Sequence, residues 1–373
     1  MHQTKLTLLK NFRNCFKILL IQGEIFGLVT FSYSTHLTPS RAKLVANIFR
    51  ILIFALTTIY ALHLCATNDE ILVVVKSTTL LSFTYSIFCV TTIWILSVTN
   101  RHKFITFVTK IIQFDVNCCD KRLTTYQKGR KKVMLCWTTK YLFLVFFFVA
   151  INANSCDEFS LIYTFLCSFM SAFSFTICRQ SAELALMLKF RFFVLNEKLL
   201  TIITVVDDLD YVKSVLTKVC TWHHHLSRLV KLYNDLFGII LLLVFGFSFL
   251  VVTVCSFVIA AEMQHGGTEW YFVLGFCTIV VYYAVDVVSV CDSCYATIEE
   301  LSRTGVLIHK IQSEDRDVID GIEMFAFQIA NEAAEFSAGG FFPINYTLVF
   351  SMVGGVTTYI IILLQLATTF KEW

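Results

Sequence analysis

The sequence predicts an all-α polytopic membrane protein with seven transmembrane helices, a cytoplasmic N-terminus and an extracellular C-terminus. Three observations carry this. First, 57% of the 373 residues are hydrophobic and 15% are charged, with a mean hydropathy of +0.71, which is more apolar than a soluble domain tolerates. Second, there are two prolines, Pro39 and Pro343, and 37 phenylalanines, so the apolar segments read as bulky helices rather than alternating barrel strands. Third, Lys and Arg crowd onto alternate connections, the bias that sets orientation.

A span needs about 20 apolar residues. Seven segments qualify: 44–64, 72–98, 133–151, 159–178, 237–260, 270–290 and 343–368. Residues 1–43 precede them as a cytoplasmic arm followed by the segment 16–33. That segment contains Lys17, Gln22, Gly23, Glu24 and Gly27 and reads as lying at the interface or tucked into the bundle. The first 15 residues are polar and basic with no small-residue cleavage site, so no cleavable signal peptide is expected. Helices 1 to 4 occupy 44–178. The connection Asn100 to Lys132 within this region carries nine Lys and Arg residues, which places it inside.

Residues 179–236 carry eight Lys and Arg among apolar positions, consistent with helix 4 continuing into the cytoplasm and helix 5 starting before the membrane. Val205 to Asp210 is the expected loop between these two extensions. Such a stretch predicts a packed cytoplasmic platform, the kind of element through which subunits touch. Helices 5 and 6 fill 237–290. Residues 291–340 form a further inside segment, whose Ile319, Ile322, Phe325, Phe327, Ile329 and Phe336 predict an amphipathic helix. Ala338-Gly339-Gly340-Phe341-Phe342-Pro343 then predicts a break or hinge, with Pro343 presetting the first turn of helix 7. Residues 341–373 hold helix 7 and an extracellular tail. The short connections at the other ends carry Asp69, Glu70, Asp157, Glu158, Glu262 and Glu269 and no Lys or Arg, so they lie outside.

Charges inside the spans need partners or access to water. Arg50 and Lys140 are expected to snorkel or pair, with Asp286 as a plausible partner. Lys76 either snorkels outward or faces a water-filled cavity. The 14 cysteines fall almost entirely outside the extracellular loops, so no disulfide framework is expected. His223-His224-His225 point about 100 degrees apart on a helix and do not converge on a metal. Cys291 and Cys294 lack a second pair. No phosphate loop, nucleophile elbow or dinucleotide fingerprint is present, so the chain is not expected to be an enzyme or to need a cofactor, metal or nucleic acid. The sequon Asn345-Tyr346-Thr347 falls near the cytoplasmic end of helix 7 and is expected to be unmodified.

Helix 7 carries a polar stripe. Thr347, Ser351, Thr358, Gln365 and Thr369 recur at spacings of four and seven and share one narrow face. Either other helices pack there, through these residues and Gly354-Gly355, or several copies of the helix meet around water.

Thr358-Tyr359-Ile360-Ile361-Ile362-Leu363-Leu364-Gln365-Leu366 resembles the TYhhhhhQF signature of insect gustatory receptors, where h is a hydrophobic residue, with Leu366 where the family usually has Phe. The preceding AEFSAGGFFPINYTLVFSMVGGV is similar to that family's approach to the motif. IFGLVTFS and HHHLSRLVKLYNDLFGIILLL echo it more weakly. The resemblance implies a ligand-gated, nonselective cation channel in the plasma membrane of chemosensory neurons, passing sodium, potassium and calcium ions. It implies a homo-tetramer, or a hetero-tetramer with related receptors, embedded in membrane lipid and opened by a small-molecule tastant. Helix 7 would line the pore through Thr347, Ser351, Thr358, Ile361, Ile362 and Gln365, with Ile361 and Ile362 as an apolar constriction.

The ligand pocket implied among helices 2 to 6 draws on Lys76, Thr79, Phe147, Phe148, Asn152, Phe159, Tyr163, Thr253, Thr268, Trp270 and Tyr271. Aromatic walls with few polar partners suit apolar or aromatic compounds, often the bitter class. Sugar-tuned members often carry Glu after the Thr-Tyr pair, and here the position is Ile360. Alternative readings are a sugar-responsive receptor, an odorant-receptor-type subunit needing a co-receptor, and a secondary transporter. Against the transporter stand the lack of an internal repeat and of paired broken helices.

Overall fold

The structure, a computed structural model, describes residues 16–33, 37–67, 73–118, 122–152, 158–204, 209–264, 270–332 and 334–371. It is helical apart from two short hairpins. In chain order the elements are α1 (16–25), β1 (Phe31–Tyr33), β2 (Leu37–Pro39), α2 (Arg41–Thr67), α3 (Val73–Thr99), α4 (Arg101–Cys118), α5 (Arg122–Asn152), α6 (Glu158–Thr204) and α7 (Leu209–Gln264). Then follow α8 (Trp270–Ile308), α9 (Arg316–Asn331), β3 (Ser337–Ala338), β4 (Phe342–Pro343) and α10 (Tyr346–Lys371). Among the described residues, α2, α3, α5, α6, α7, α8 and α10 are the seven helices long and apolar enough to span a membrane. The expected loop at 205–210 lies mostly outside the described residues.

Burial orders these helices. Half of the most apolar stretch of α6 and 56% of that of α7 is inside the protomer, against 17% for α5 and 0% for α10. The bundle is therefore centred on α6, α7 and α8, and α10 stands at its edge. The segment before α2 is tucked into the bundle: Leu19, Leu20, Val29 and Phe31 are buried. Its chain reversal is tied from several sides. Trp94 Nε1 donates to Phe26 O at 2.6 Å, Asn47 Nδ2 to Gly27 O at 2.7 Å, and Gln180 Nε2 to Leu19 O at 3.0 Å. Gly27 has φ +75°, and a Cβ there would lie 2.4 Å from Asn47 Oδ1, so this turn requires glycine.

At the end rich in Lys and Arg, α4, α9 and the continuations of α5 to α8 form a platform. Buried polar contacts lock it. Arg191 Nη2 donates to Asp115 Oδ2 at 2.6 Å and its Nη1 to Met187 O, Arg130 forks onto Glu183, and Asn196 bridges Glu300 and Thr304. The histidine run splays apart as helical geometry requires: His223 lies between the Phe192 and Phe325 rings, His224 meets Glu332, and His225 meets Trp222.

The seam between α7 and the chain leading into α10 has its own ladder. Lys213 pairs with Asp315 and Asp317 and holds the Asp315 carboxyl below the usual carboxylate range. Cys220 and Gln328 bond reciprocally. Asn234 donates to Glu335 O at 2.6 Å and accepts from Ser337 N at 3.1 Å.

The expected break before the last helix is a hairpin clamped on α7. Gly339 (φ +59°) and Gly340 (φ +79°) supply the left-handed backbone of its turn. A Cβ on Gly238 would lie 2.9 Å from Gly339 N, so the hairpin rests directly on the α7 backbone. Pro343 is paired with Ser337 in β4 and does not preset the helix. The helix starts at Tyr346 instead. Asn345 caps it by accepting from Thr347 N at 2.9 Å.

Candidate functional site

Two features of this bundle are candidates for function, an internal cavity and the uncovered face of α10. The cavity is lined by α3, α5, α6, α7 and α8 and encloses about 880 Å³ of empty space, its open mouth included. Each helix contributes one face at helical spacing. α3 presents Thr79, Ser82, Phe83 and Ser86, α5 presents Tyr141, Leu144, Val145 and Phe148, and α8 presents Thr278, Ile279, Tyr282 and Tyr283. Among the described residues the lining contains no charged side chain.

Most of its hydroxyls already donate to backbone carbonyls. Ser82 donates to Thr78 O, Ser86 to Phe83 O, Thr278 to Leu274 O, Ser171 to Ser168 O, and Tyr282 to Ser171 O at 2.9 Å. The buried Tyr141 hydroxyl has no hydrogen-bond partner of good geometry among the described residues. An uncharged aromatic chamber with few free donors admits neutral, largely apolar molecules.

One turn beyond this lining lies a buried ion pair. Phe175 stacks on Tyr141 at 4.5 Å and sits 6.3 Å from Tyr282. Behind that layer, Arg179 Nη2 is 3.9 Å from Asp286 Oδ1, with both side chains buried. The Arg179 guanidinium stands 4.7 Å from the Trp137 ring centroid, a cation–π contact. The expected partners of Asp286 are thereby corrected: Arg50 donates to Asn47 Oδ1 at 2.6 Å, and Lys140 lies over Trp137. The inward rotation of α6 at Arg179, which hydropathy does not reveal, decides the pairing.

Of the residues expected to form the pocket, Thr79, Phe148 and Tyr163 line this cavity. Phe147 is half-buried beside it, Thr253 is buried with its hydroxyl on Phe249 O, and Trp270 is 73% exposed. Lys76, three residues before Thr79 on α3, is half-buried and is not among the described lining residues. The side chains of Asn152, Phe159, Thr268 and Tyr271 lie outside the described residues, as does that of Thr369. Tyr141, Phe247, Tyr282 and Tyr283 were missed. Their signal was the repeated i, i+3, i+4 spacing of aromatic and small polar residues.

Helix α10 packs one side on its neighbours and leaves the other bare. Leu348, Val349 and Met352 pack on the main core, and Leu363 and Leu364 on a smaller cluster around Phe257 and Val258. Gly355 brings the helix close to Phe249, to which an added Cβ would come within 3.0 Å, and Tyr359 meets the same ring edge-on at 5.8 Å. Gly354, by contrast, has nothing within 4 Å. Thr347, Ser351, Thr358, Ile361, Ile362 and Gln365 are all exposed, as is Leu366. The polar stripe is therefore not the seam that holds α10 to its own protomer. Ser351 and Thr358 donate to the carbonyls of Thr347 and Gly354 at 2.9 and 3.0 Å, which lowers the cost of those hydroxyls in an apolar setting.

A family model described as 7tm chemosensory receptor matches residues 16–369. The chain belongs to the 7tm chemosensory receptor family. Among curated proteins it is 29% identical over 137 residues to gustatory receptor 68a of Drosophila melanogaster, covering 35% of each chain. It is 25% identical over 161 residues to the gustatory receptor for bitter taste 66a of the same fly, covering 41% of this chain and 31% of that one. These matches span about a third of each relative's length. Among solved structures, the insect olfactory receptor OR5 from Machilis hrabei superposes with a TM-score of 0.71 at 17% identity, covering 96% of this chain and 99% of that one, a likeness of fold. A member of this family with seven candidate spans among its described residues, the chain thus combines partial sequence similarity to gustatory receptors with the fold of an insect olfactory receptor.

Proposed function

We propose that this chain is a gustatory receptor subunit that assembles around a central axis as a ligand-gated, nonselective cation channel in the plasma membrane. It responds to bitter or other non-sugar compounds. The observation that carries the reading is the bare face of α10: Thr347, Ser351, Thr358, Ile361, Ile362 and Gln365 are exposed and turn away from the protomer's own core, and a polar face of this kind is costly against lipid. Four such faces around an axis line a water-filled pore. Gln365 then rings the pore with amide dipoles and no fixed charge, and Ile361 and Ile362 form the apolar constriction. The ligand enters the five-helix cavity, where uncharged aromatic walls favour a neutral aromatic or terpenoid-like compound over a polyol, which requires many hydrogen bonds. The hairpin 337–343, clamped to α7 and leading straight into α10, transmits the rearrangement.

Whole-cell recording from cells expressing only this chain tests the proposal, with surface delivery checked by a C-terminal tag read from outside. A cation current evoked by a bitter compound, altered by Gln365→Ala, is the expected result. Saturable uptake of substrate without channel-like current would overturn it in favour of a transporter.

A further inference from the structure

A second cavity lies apart from the first, where the N-terminal segment meets the α3–α4 turn, α6 and α7. It holds about 520 Å³ of empty space, its mouth included. Its walls are mainly apolar, with Val29, Phe31, Ile177, Phe237 and Ile240 buried around it. The neutral polar groups there are engaged: Ser97 Oγ donates to Ile93 O at 2.8 Å, Asn100 Nδ2 to Asp235 O at 3.4 Å, and Gln180 to Leu19 O. Arg101 is the one charged residue in the lining among the described residues. Among the described residues its guanidinium forms no ion pair and no hydrogen bond.

An apolar hollow disfavours water, and a guanidinium at its rim without a counter-ion favours an anion. One kind of molecule answers both demands, an acyl chain ending in an anionic head. The setting supplies it. Ile21, Ile25, Val45, Ile48 and Phe49, on the adjoining α1 and the first turns of α2, are exposed apolar side chains that face lipid in a membrane protein. This is also the end of the bundle that carries the Lys- and Arg-rich connections, the side on which anionic phospholipids are enriched. We propose that this cavity binds one acyl chain of an anionic phospholipid, with the lipid phosphate on Arg101. A zwitterionic lipid fits the hollow equally well but brings its own cation, so Arg101 discriminates by charge. The bound lipid pins the N-terminal segment to α3, α6 and α7.

Native mass spectrometry of the purified full-length protein, re-equilibrated with equal phosphatidylserine and phosphatidylcholine, tests this. The wild type is expected to retain phosphatidylserine in preference. Arg101→Gln should lower the serine-to-choline ratio about fivefold, the factor that corresponds to one surface cation near a membrane, and Arg101→Lys should restore most of it. Lys103→Gln, a neighbouring exposed charge outside the cavity, should leave the ratio unchanged. Ser97→Leu, which fills the hollow, should release both lipids. Arg101 is half-exposed and its replacement leaves the core intact, so the test does not depend on the cavity-filling variant folding. An unchanged ratio in Arg101→Gln, an equal fall in Lys103→Gln, or no wild-type preference would overturn the proposal.

Discussion

Replacing Arg179 by methionine removes one half of the buried pair that lies behind the ligand cavity. At 3.9 Å, and with an effective dielectric of about 20, the attraction to Asp286 is about 4 kcal/mol, offset in the native protein by the desolvation of both groups. Truncating one partner leaves that desolvation uncompensated, so Arg179→Met and Asp286→Leu should each destabilise by about 3–5 kcal/mol. The double variant removes both charges and should fall within about 1 kcal/mol of the wild type. That residue of cost is the lost guanidinium contact with Trp137. Thermal stability by fluorescence-detected size exclusion reads the result, with each single variant losing roughly ten degrees and the double variant recovering most of it. A double variant as unstable as the two singles summed would refute the reasoning, because it would mean that each side chain acts through packing alone.

Three further outcomes are expected. Gln365→Ala should change conductance or ion selectivity at unchanged surface level, whereas Thr358→Val should do less because the Thr358 hydroxyl already bonds Gly354 O; single-channel recording in mixed salts separates them. Gly238→Ala should cost about 1–3 kcal/mol and blunt ligand-evoked current, since its Cβ would press on the backbone of the hairpin feeding α10. Paired thermal and current measurements check this, and an unaltered protein would show that the contact relaxes freely. His223→Phe should raise thermal stability by about 1 kcal/mol, because both ring nitrogens are buried between the Phe192 and Phe325 rings with no hydrogen-bond partner among the described residues.

Local physics made much of the molecule legible. The tucked segment 16–33 was legible only as one of two options, because the groups that hold it, Trp94, Asn47 and Gln180, belong to three other helices. Helix α4 went unanticipated, since its charges hid an apolar face of Phe107, Ile111 and Phe114. The hinge was legible as glycine and proline chemistry, but its form as a clamped hairpin depended on Asn234 and Gly238, about a hundred positions earlier.

By itself the sequence determined the seven spans, the alternation of basic and acidic connections, the absence of catalytic motifs and the polar stripe on the last helix. Each follows from composition or from a period read along one segment. Only the tertiary structure decided that Arg179 pairs with Asp286, that five helices enclose an uncharged cavity, and that the stripe on α10 faces away from its own core. Those depend on how each helix is rotated about its axis and which neighbour fills the gap. Helix rotation is settled by packing across the bundle, and in a chain apolar on nearly every face the hydropathy pattern carries little record of it.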